Sequence, residues 1–451
     1  MTNRFLELSR LVRNRYLPPH ELRKLQERKL RAVIGHACEN VPYYRSLFRS
    51  EGLTPQDVCT LEDLQRVPIT NKEALRAAGV GGALARGVDP ASCEVTRTGG
   101  NTGRPFQSYH DAREAQTRTL VGFRALHTVG VRPWDRLASL RPRSQPPSLM
   151  SRLGLYRSYH FSHFLDIEEQ IRQLKRIQPT VLRFAPSKLR ALLDRVEYRL
   201  SEIARPRMLI TSSEVLDDGL KSRLLADLDV DLFNFYVTAE FADLASDCPA
   251  HEGLHVNADQ LIVECLDDQG QPVEPGKPGV VVVTSLYGFV MPFIRFRLGD
   301  ICTPIGRQCS CGSTFPLISA PLGRQDDVLR LPSGKIKSLL SLGAIIMRVD
   351  GIDQFRYIQE SLDHLVLQLV FWKHPGEETL SEIRRRSLEY LGEPVRFDVQ
   401  VVDRLLEDKV KFRRFISKVP PPASKDSENQ ECTAAPVWQH CDSRQPRSPL
   451  A

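Results

Sequence analysis

The stretch GVVVVTSLYGFVMPFIRFR (Gly279–Arg297) is the most apolar part of the chain and does most to limit its fold. It is too short to cross a bilayer, and Gly288 and Pro292 interrupt it. It therefore reads as two strands and a turn, with Val280–Val283 a buried strand. Around it, strands and helices alternate up to about Leu322, the pattern of an α/β layered domain. An opening helix carries Leu22, Leu25, Leu30, Val33 and Ile34 on one face and ends at Asn40–Pro42. EEQIRQLKRI (Glu168–Ile177) has the spacing of an amphipathic helix.

After Gly323 the pattern changes. A helix (Ser338–Met347), strands near Gln354–Glu360 and His364–Lys373, a helix (Thr379–Leu391) and a strand (Val395–Val402) suggest a small α+β domain. From Val419 the chain is rich in Pro, Ser and polar residues and reads as a disordered tail. The expected organisation is a large N-terminal domain (1–322), a small C-terminal domain (323–418) and a tail (419–451).

The net charge of +7 is spread over 451 residues without a basic block or interleaved aromatics, which gives no support to nucleic-acid binding. The N-terminus MTNRFLELSRL has no apolar signal core, and the ten cysteines are scattered, as expected of reduced thiols in a cytoplasmic protein. No membrane association is expected.

Three stretches carry candidate chemistry. In TRTGGNTGRPF (Thr96–Phe106), glycines permit positive φ, turning backbone N–H groups toward one point, and hydroxyls add donors. Such a loop suits a phosphate chain. Pro105 and the extended FQSYH after it exclude a P-loop or dinucleotide fingerprint, both of which would open a helix. FNFYVTAEF (Phe233–Phe241) sets an aromatic four residues before a glutamate, a residue type suited to Mg²⁺. MPFIRFRLGDI (Met291–Ile301) ends an arginine-bearing strand on Gly-Asp, and a carboxylate there can accept both hydroxyls of a ribose.

In that order, these stretches resemble the adenylate-forming superfamily of acyl-CoA synthetases, most closely its phenylacetate–CoA ligase-like branch and capsular polysaccharide biosynthesis relatives. Thr98–Pro105 is similar to the family's phosphate loop, with Arg104 for lysine. Tyr236–Glu240 is similar to Tyr-Gly-x-Thr-Glu, with Val237 for glycine and Ala239 for threonine. IRFRLGD resembles the Arg-Tyr-Arg-Thr-Gly-Asp motif, GRQDDVL (Gly323–Leu329) the hinge, and KFRRFISK (Lys411–Lys418) the segment with the catalytic lysine, although Val410 replaces the usual glycine.

The resemblance implies ATP-dependent activation of a carboxylic acid to an acyl-adenylate, then transfer to a thiol, usually coenzyme A. Thr98, Gly99, Gly100, Asn101, Thr102 and Gly103 would cradle the phosphates beside Arg104. Tyr236 would stack on adenine, and Ser213–Glu214 would line the base. Asp300 would bind the ribose, Arg324 the ribose or phosphate, and Glu240 with Thr102 would hold Mg²⁺. Lys411, with Lys409 as competitor, would reach the carboxylate and α-phosphate, and Asp326 would be the hinge of the small domain. Phe184, Ala185 and Tyr236 are expected pocket linings for an aromatic or hydrophobic acid. A carrier protein or amine as acceptor, or a non-catalytic nucleotide- or acyl-binding protein of the same fold, are the alternatives.

CPAHEGLH (Cys248–His255) and CSC (Cys309–Cys311) offer a further constellation. Cys248, His255, Cys309 and Cys311 would form a closed Cys₃His set suited to structural Zn²⁺, with His251 the competing imidazole. Some phenylacetate–CoA ligase-like proteins carry similar residues at these places.

Overall fold

The computed structural model describes residues 2–97, 106–141, 151, 153–162, 165–196, 199–216, 218–267, 269–325, 328–347, 349, 351–372, 375–405 and 414–419. Four helices open the chain: α1 (Thr2–Asn14), α2 (Pro19–Asn40), α3 (Pro42–Ser50) and α4 (Lys72–Ala83). The apolar stripe of α2 buries Leu22, Leu30, Val33 and Ile34, while Leu25 stays half exposed at its margin. Val41, held extended before Pro42, separates α2 from α3.

Strands β1 (Glu94–Arg97) and β2 (Gln107–His110) pair antiparallel and precede α5 (Ala112–Thr128). The layered unit continues through β3 (Arg136–Arg141), β4 (Arg157–Ser162), α6 (Ile167–Ile177), β5 (Val181–Phe184) and α7 (Pro186–Arg195). Then come β6 (Met208–Ser212), α8 (Asp218–Asp227), β7 (Asp231–Thr238), β8 (Ala242–Ser246) and β9 (Leu254–Val256). A second group follows: β10 (Leu261–Leu266), β11 (Gly279–Ser285), β12 (Phe296–Cys302), β13 (Pro304–Ile305), β14 (Leu317–Ile318) and β15 (Gly323–Arg324).

A nine-stranded sheet in the order β13-β14-β9-β8-β7-β6-β5-β3-β4 forms the centre. From β4 to β7 it is parallel, and from β7 to β13 antiparallel. Helical crossovers put α6, α7 and α8 against the parallel part, where Leu174, Leu189, Leu192, Leu220 and Leu224 are fully buried. The apolar stretch divides as expected: β11 is buried at every residue and pairs antiparallel with β12 in the sheet β10-β11-β12-β15. Among the described residues no helix is long and apolar enough to cross a membrane.

The C-terminal elements are β16 (Val328–Arg330), β17 (Ile336–Ser338), α9 (Leu339–Met347), β18 (Ile352–Ser361), β19 (His364–Phe371), α10 (Glu377–Leu391), β20 (Arg396–Val401) and β21 (Phe415–Ser417). They build a sheet β20-β19-β18-β21 with its own core of Leu342, Ile346, Tyr357, Leu367, Ile383 and Phe397. The α+β pattern read from the sequence is therefore present, with α9 starting one residue late because Ser338 closes β17. The tail, apart from Val419, lies outside the described residues.

Candidate active site

The three sequence stretches meet at one end of β7. Tyr236 lies on β7 and is 5 % exposed. Burial, then the neighbouring Asp300 charge, holds its phenol well above the usual range, so it stays a donor. Its hydroxyl donates to Asp300 Oδ2 at 2.7 Å. Asp300 reaches that position because β12 bulges: Val280 pairs with Ile301, but Val282 pairs with Arg297. Gly299, at φ 82°, takes up the extra length, which explains a glycine before the aspartate. Arg324 sits opposite Asp300 on β15, with Nε 3.8 Å from Oδ1 and Nη2 donating to the Leu298 carbonyl at 3.1 Å.

Just past β7, Arg118 of α5 fixes the turn by donating to the carbonyls of Ala239 (2.8 Å) and Glu240 (2.6 Å). The Glu240 side chain is 3 % exposed. Lys72 Nζ, from the first residue of α4, lies 2.9 Å from Glu240 Oε1 and forms an ion pair with it. A buried carboxylate is a ligand type suited to a hard cation, which here would share the site with the Lys72 ammonium. The hairpin bearing the glycine loop is tied to the same turn: Thr96 Oγ1 donates to the Ala239 carbonyl at 2.9 Å. The loop residues Thr98, Gly99, Gly100, Asn101, Thr102, Gly103 and Arg104 lie outside the described residues, as do Asp326, Lys409, Val410 and Lys411. The flanking strands nonetheless run antiparallel up to Arg97↔Gln107, so the loop joins strands, as its proline indicated.

Other expected residues have more structural surroundings. Ser213 leaves β6 at φ 72° with its side chain exposed. The Glu214 carboxylate accepts from Ser187 N and Oγ, both at 2.9 Å, and so completes the N-terminus of α7. Phe184 was expected in a pocket wall. It is a core side chain instead, 1 % exposed and edge-on to Phe161 at 6.1 Å, because its face of β5 lies under α6 and α7. Ala185, the next residue, is half-buried. Lys72 and Arg118 were not singled out in the sequence. Each is an isolated cation on an ordinary helix, and only α4 and α5 packing beside the β7 turn brings them to Glu240.

The second constellation assembles around β9. The ligand atoms of Cys248, His255, Cys309 and Cys311 all lie within 4.8 Å of one another. Cys248 Sγ is 3.6 Å from Cys309 Sγ, and Cys311 Sγ is 3.3 Å from His255 Nε2. Two thiolates on one tetrahedral metal at the usual Zn–S length would stand about 3.8 Å apart. His255 Nδ1 bonds the Phe315 carbonyl at 3.1 Å, the arrangement that leaves Nε2 free to ligate. His251 is excluded from the cluster: its Nδ1 bonds Asp247 at 2.9 Å and its ring stacks on Phe233. Gly253, at φ 138°, lets the two thiol-bearing turns approach, since a Cβ there would meet Ile305 Cδ1 at 2.6 Å. Burial pushes the Cys248 thiol up to about 12, so metal binding must displace its proton.

No family model matches the chain. It is 25 % identical to the phenylacetate-coenzyme A ligase of Thermus thermophilus over 81 % of this chain and 86 % of the relative. Among solved structures it resembles a 2-hydroxyisobutyryl-CoA ligase in its post-adenylation state with 2-HIB-AMP. That match has 21 % identity and a TM-score of 0.75, covering 90 % of this chain and 91 % of the other. The same ligase in its thioesterification state, with 2-HIB-AMP and CoA, matches with a TM-score of 0.61, 22 % identity and the same coverage. With the motifs joined at β7 and a relative spanning most of both chains, this chain is similar to the phenylacetate–CoA ligases and shares the fold of the adenylate-forming CoA ligases.

Proposed function

We propose that the chain activates a carboxylic acid with ATP, releasing pyrophosphate, and passes the acyl group from the adenylate to the thiol of coenzyme A. The observation that carries this reading is the 2.7 Å bond from Tyr236 to Asp300, which joins a base-stacking aromatic to a ribose-binding carboxylate beside the Glu240 turn. Asp300 accepts the ribose hydroxyls, Tyr236 offers its ring to adenine, and Arg324 supports the ribose or a phosphate. The loop from Thr98 to Arg104 seats the pyrophosphate. Lys411 stabilises charge developing at the α-phosphate while the acid attacks. Charge builds up on oxygens throughout, so placed donors and cations are what the chemistry needs, and no thiol or hydroxyl nucleophile is required.

Glu240, with Thr102, would hold Mg²⁺, which neutralises phosphate charge when bound. Lys72 brings a second cation to the same carboxylate. Cys248, His255, Cys309 and Cys311 would hold one structural Zn²⁺, a closed set with no open position for chemistry. The units 1–322 and 323–418 would turn about Asp326 between half-reactions. Ala185 and Tyr236 would line the pocket, and the phenylacetate ligases among the relatives make aryl-acetic acids the first substrates to try.

ATP–pyrophosphate exchange over a panel of aryl-acetic, benzoic and short hydroxy acids tests the first step, and thioester formation with coenzyme A the second. Exchange with at least one acid, lost in Lys411→Ala, is the expected result. Exchange without thioester would point to a carrier protein or amine as acceptor. Exchange with no acid would favour a non-catalytic binding protein.

A further inference from the structure

Two arginines of the large unit close on one aspartate of the C-terminal unit. Arg190 Nη1, on α7, donates to Asp353 Oδ1 at 2.5 Å, and its Nη2 to the Asp353 carbonyl at 3.3 Å. Arg223 Nη1, on α8, lies 3.4 Å from Asp353 Oδ2. The side chains of Arg190, Asp353 and Arg223 are 6 %, 3 % and 17 % exposed. Asp353 is the extra residue of a bulge in β18: Ile352 pairs with Phe371 and Gln354 with Val370, so Asp353 opposes no residue of β19. Bulges re-aim side chains, and this one turns a carboxylate toward α7 and α8.

The anchors on each side belong to separate cores. Leu189, Leu192, Leu220 and Leu224 fix the two arginine helices to the nine-stranded sheet, whereas Phe355 and Tyr357 fix β18 to the C-terminal core. The three charges are therefore buried together only while the units are docked as they are here. A buried ion pair adds little net attraction over water, but any other docking that buried one partner alone would leave an uncompensated charge. Its effect is to select one arrangement, and this arrangement superposes better on the post-adenylation state of the solved relative than on its thioesterification state.

We propose, resting on the acyl-activating reading above, that Asp353 is a positioning residue whose ion pair with Arg190 and Arg223 holds the C-terminal unit docked for the first half-reaction. The pair must break before the unit turns for thioester formation. Asp353 touches no reacting atom and acts through the position of its domain.

The test uses the full chain with genetically encoded spin labels at two exposed positions, Arg172 on α6 and Glu389 on α10, whose side chains are 73 % and 72 % exposed. Pulsed electron resonance then reads the distance between the units in wild type, Asp353→Asn and Arg223→Gln. Both variants are expected to lose most of the wild-type distance population. Pyrophosphate exchange should fall by about tenfold in Asp353→Asn, the order of one charge-assisted hydrogen bond. Thioester formation from supplied acyl-adenylate should stay within about twofold, since that step does not use the docked pair. If Asp353→Asn does not fold, Arg223→Gln decides by the same distance. An unchanged distance distribution in folded variants overturns the proposal. Absence of exchange in wild type with every acid would instead count against the acyl-activating reading, while the distances would still decide the docking.

Discussion

Replacing Tyr236 by phenylalanine removes one oxygen and tests the join between the base and ribose motifs. The lost hydroxyl donates at 2.7 Å to an ionised acceptor from a site 5 % exposed. A hydrogen bond to a charged group is worth about 1.5–3 kcal/mol. Asp300 is 22 % exposed, so water can replace part of the bond, and the lower end, about 1.5–2 kcal/mol, applies. With an unfolding entropy near 2.1 cal/mol/K per residue over a unit of about 320 residues, that is a fall in melting temperature of roughly 2–3 °C. Differential scanning calorimetry without nucleotide should read it. Isothermal titration should also find ATP binding weaker by about three- to tenfold, because Asp300 loses the bond that orients it for the ribose. Tyr236→Phe with wild-type melting and wild-type ATP affinity would refute this, and would place the ribose carboxylate elsewhere.

Three further outcomes are expected. Protein prepared without chelators should contain about one zinc per chain by elemental analysis, and Cys309→Ser should lose both the metal and thermal stability; metal-free protein of unchanged stability would leave three reduced thiols beside a histidine. Lys72→Met removes the ammonium 2.9 Å from Glu240, so Mn²⁺ binding measured without nucleotide should tighten by about tenfold, and unchanged or weaker binding would contradict a cation site there. His110, 4 % exposed beside Glu114, Thr96 and Ser108, has its pKa lowered by burial, against the opposing pull of Glu114. The unfolded chain therefore binds more protons, so this contribution is complete above about pH 6.5 and is lost as pH falls below it. The melting temperature should drop over that range, and His110→Gln should flatten part of the slope.

Much of the molecule was legible before its coordinates because the signals are local. Periodicity located α2, α6 and α10 nearly to the residue, and Gly288 with Pro292 divided the apolar run into β11 and β12. The order Thr98–Pro105, Tyr236–Glu240, Asp300 carried the resemblance, since each motif is a short chemical pattern that survives without context. The Cys₃His set was also readable, because CPAHEGLH and CSC concentrate thiols and imidazoles in two short stretches.

Choosing between competitors needed the third dimension. His255 and His251 are equivalent in sequence; the fold turns one toward Cys311 and the other toward Asp247. Phe184 looked like a pocket wall until its face of β5 proved to lie under α6 and α7. Lys72, Arg118 and Asp353 left no trace at all. Each is a common charged residue whose meaning comes from partners more than a hundred positions away, and long-range electrostatic pairing has no periodicity to read. The sequence by itself determined which elements form and what chemistry they carry. The tertiary structure alone decided which charges face one another, because burial strengthens some of those pairings while water screens the exposed ones.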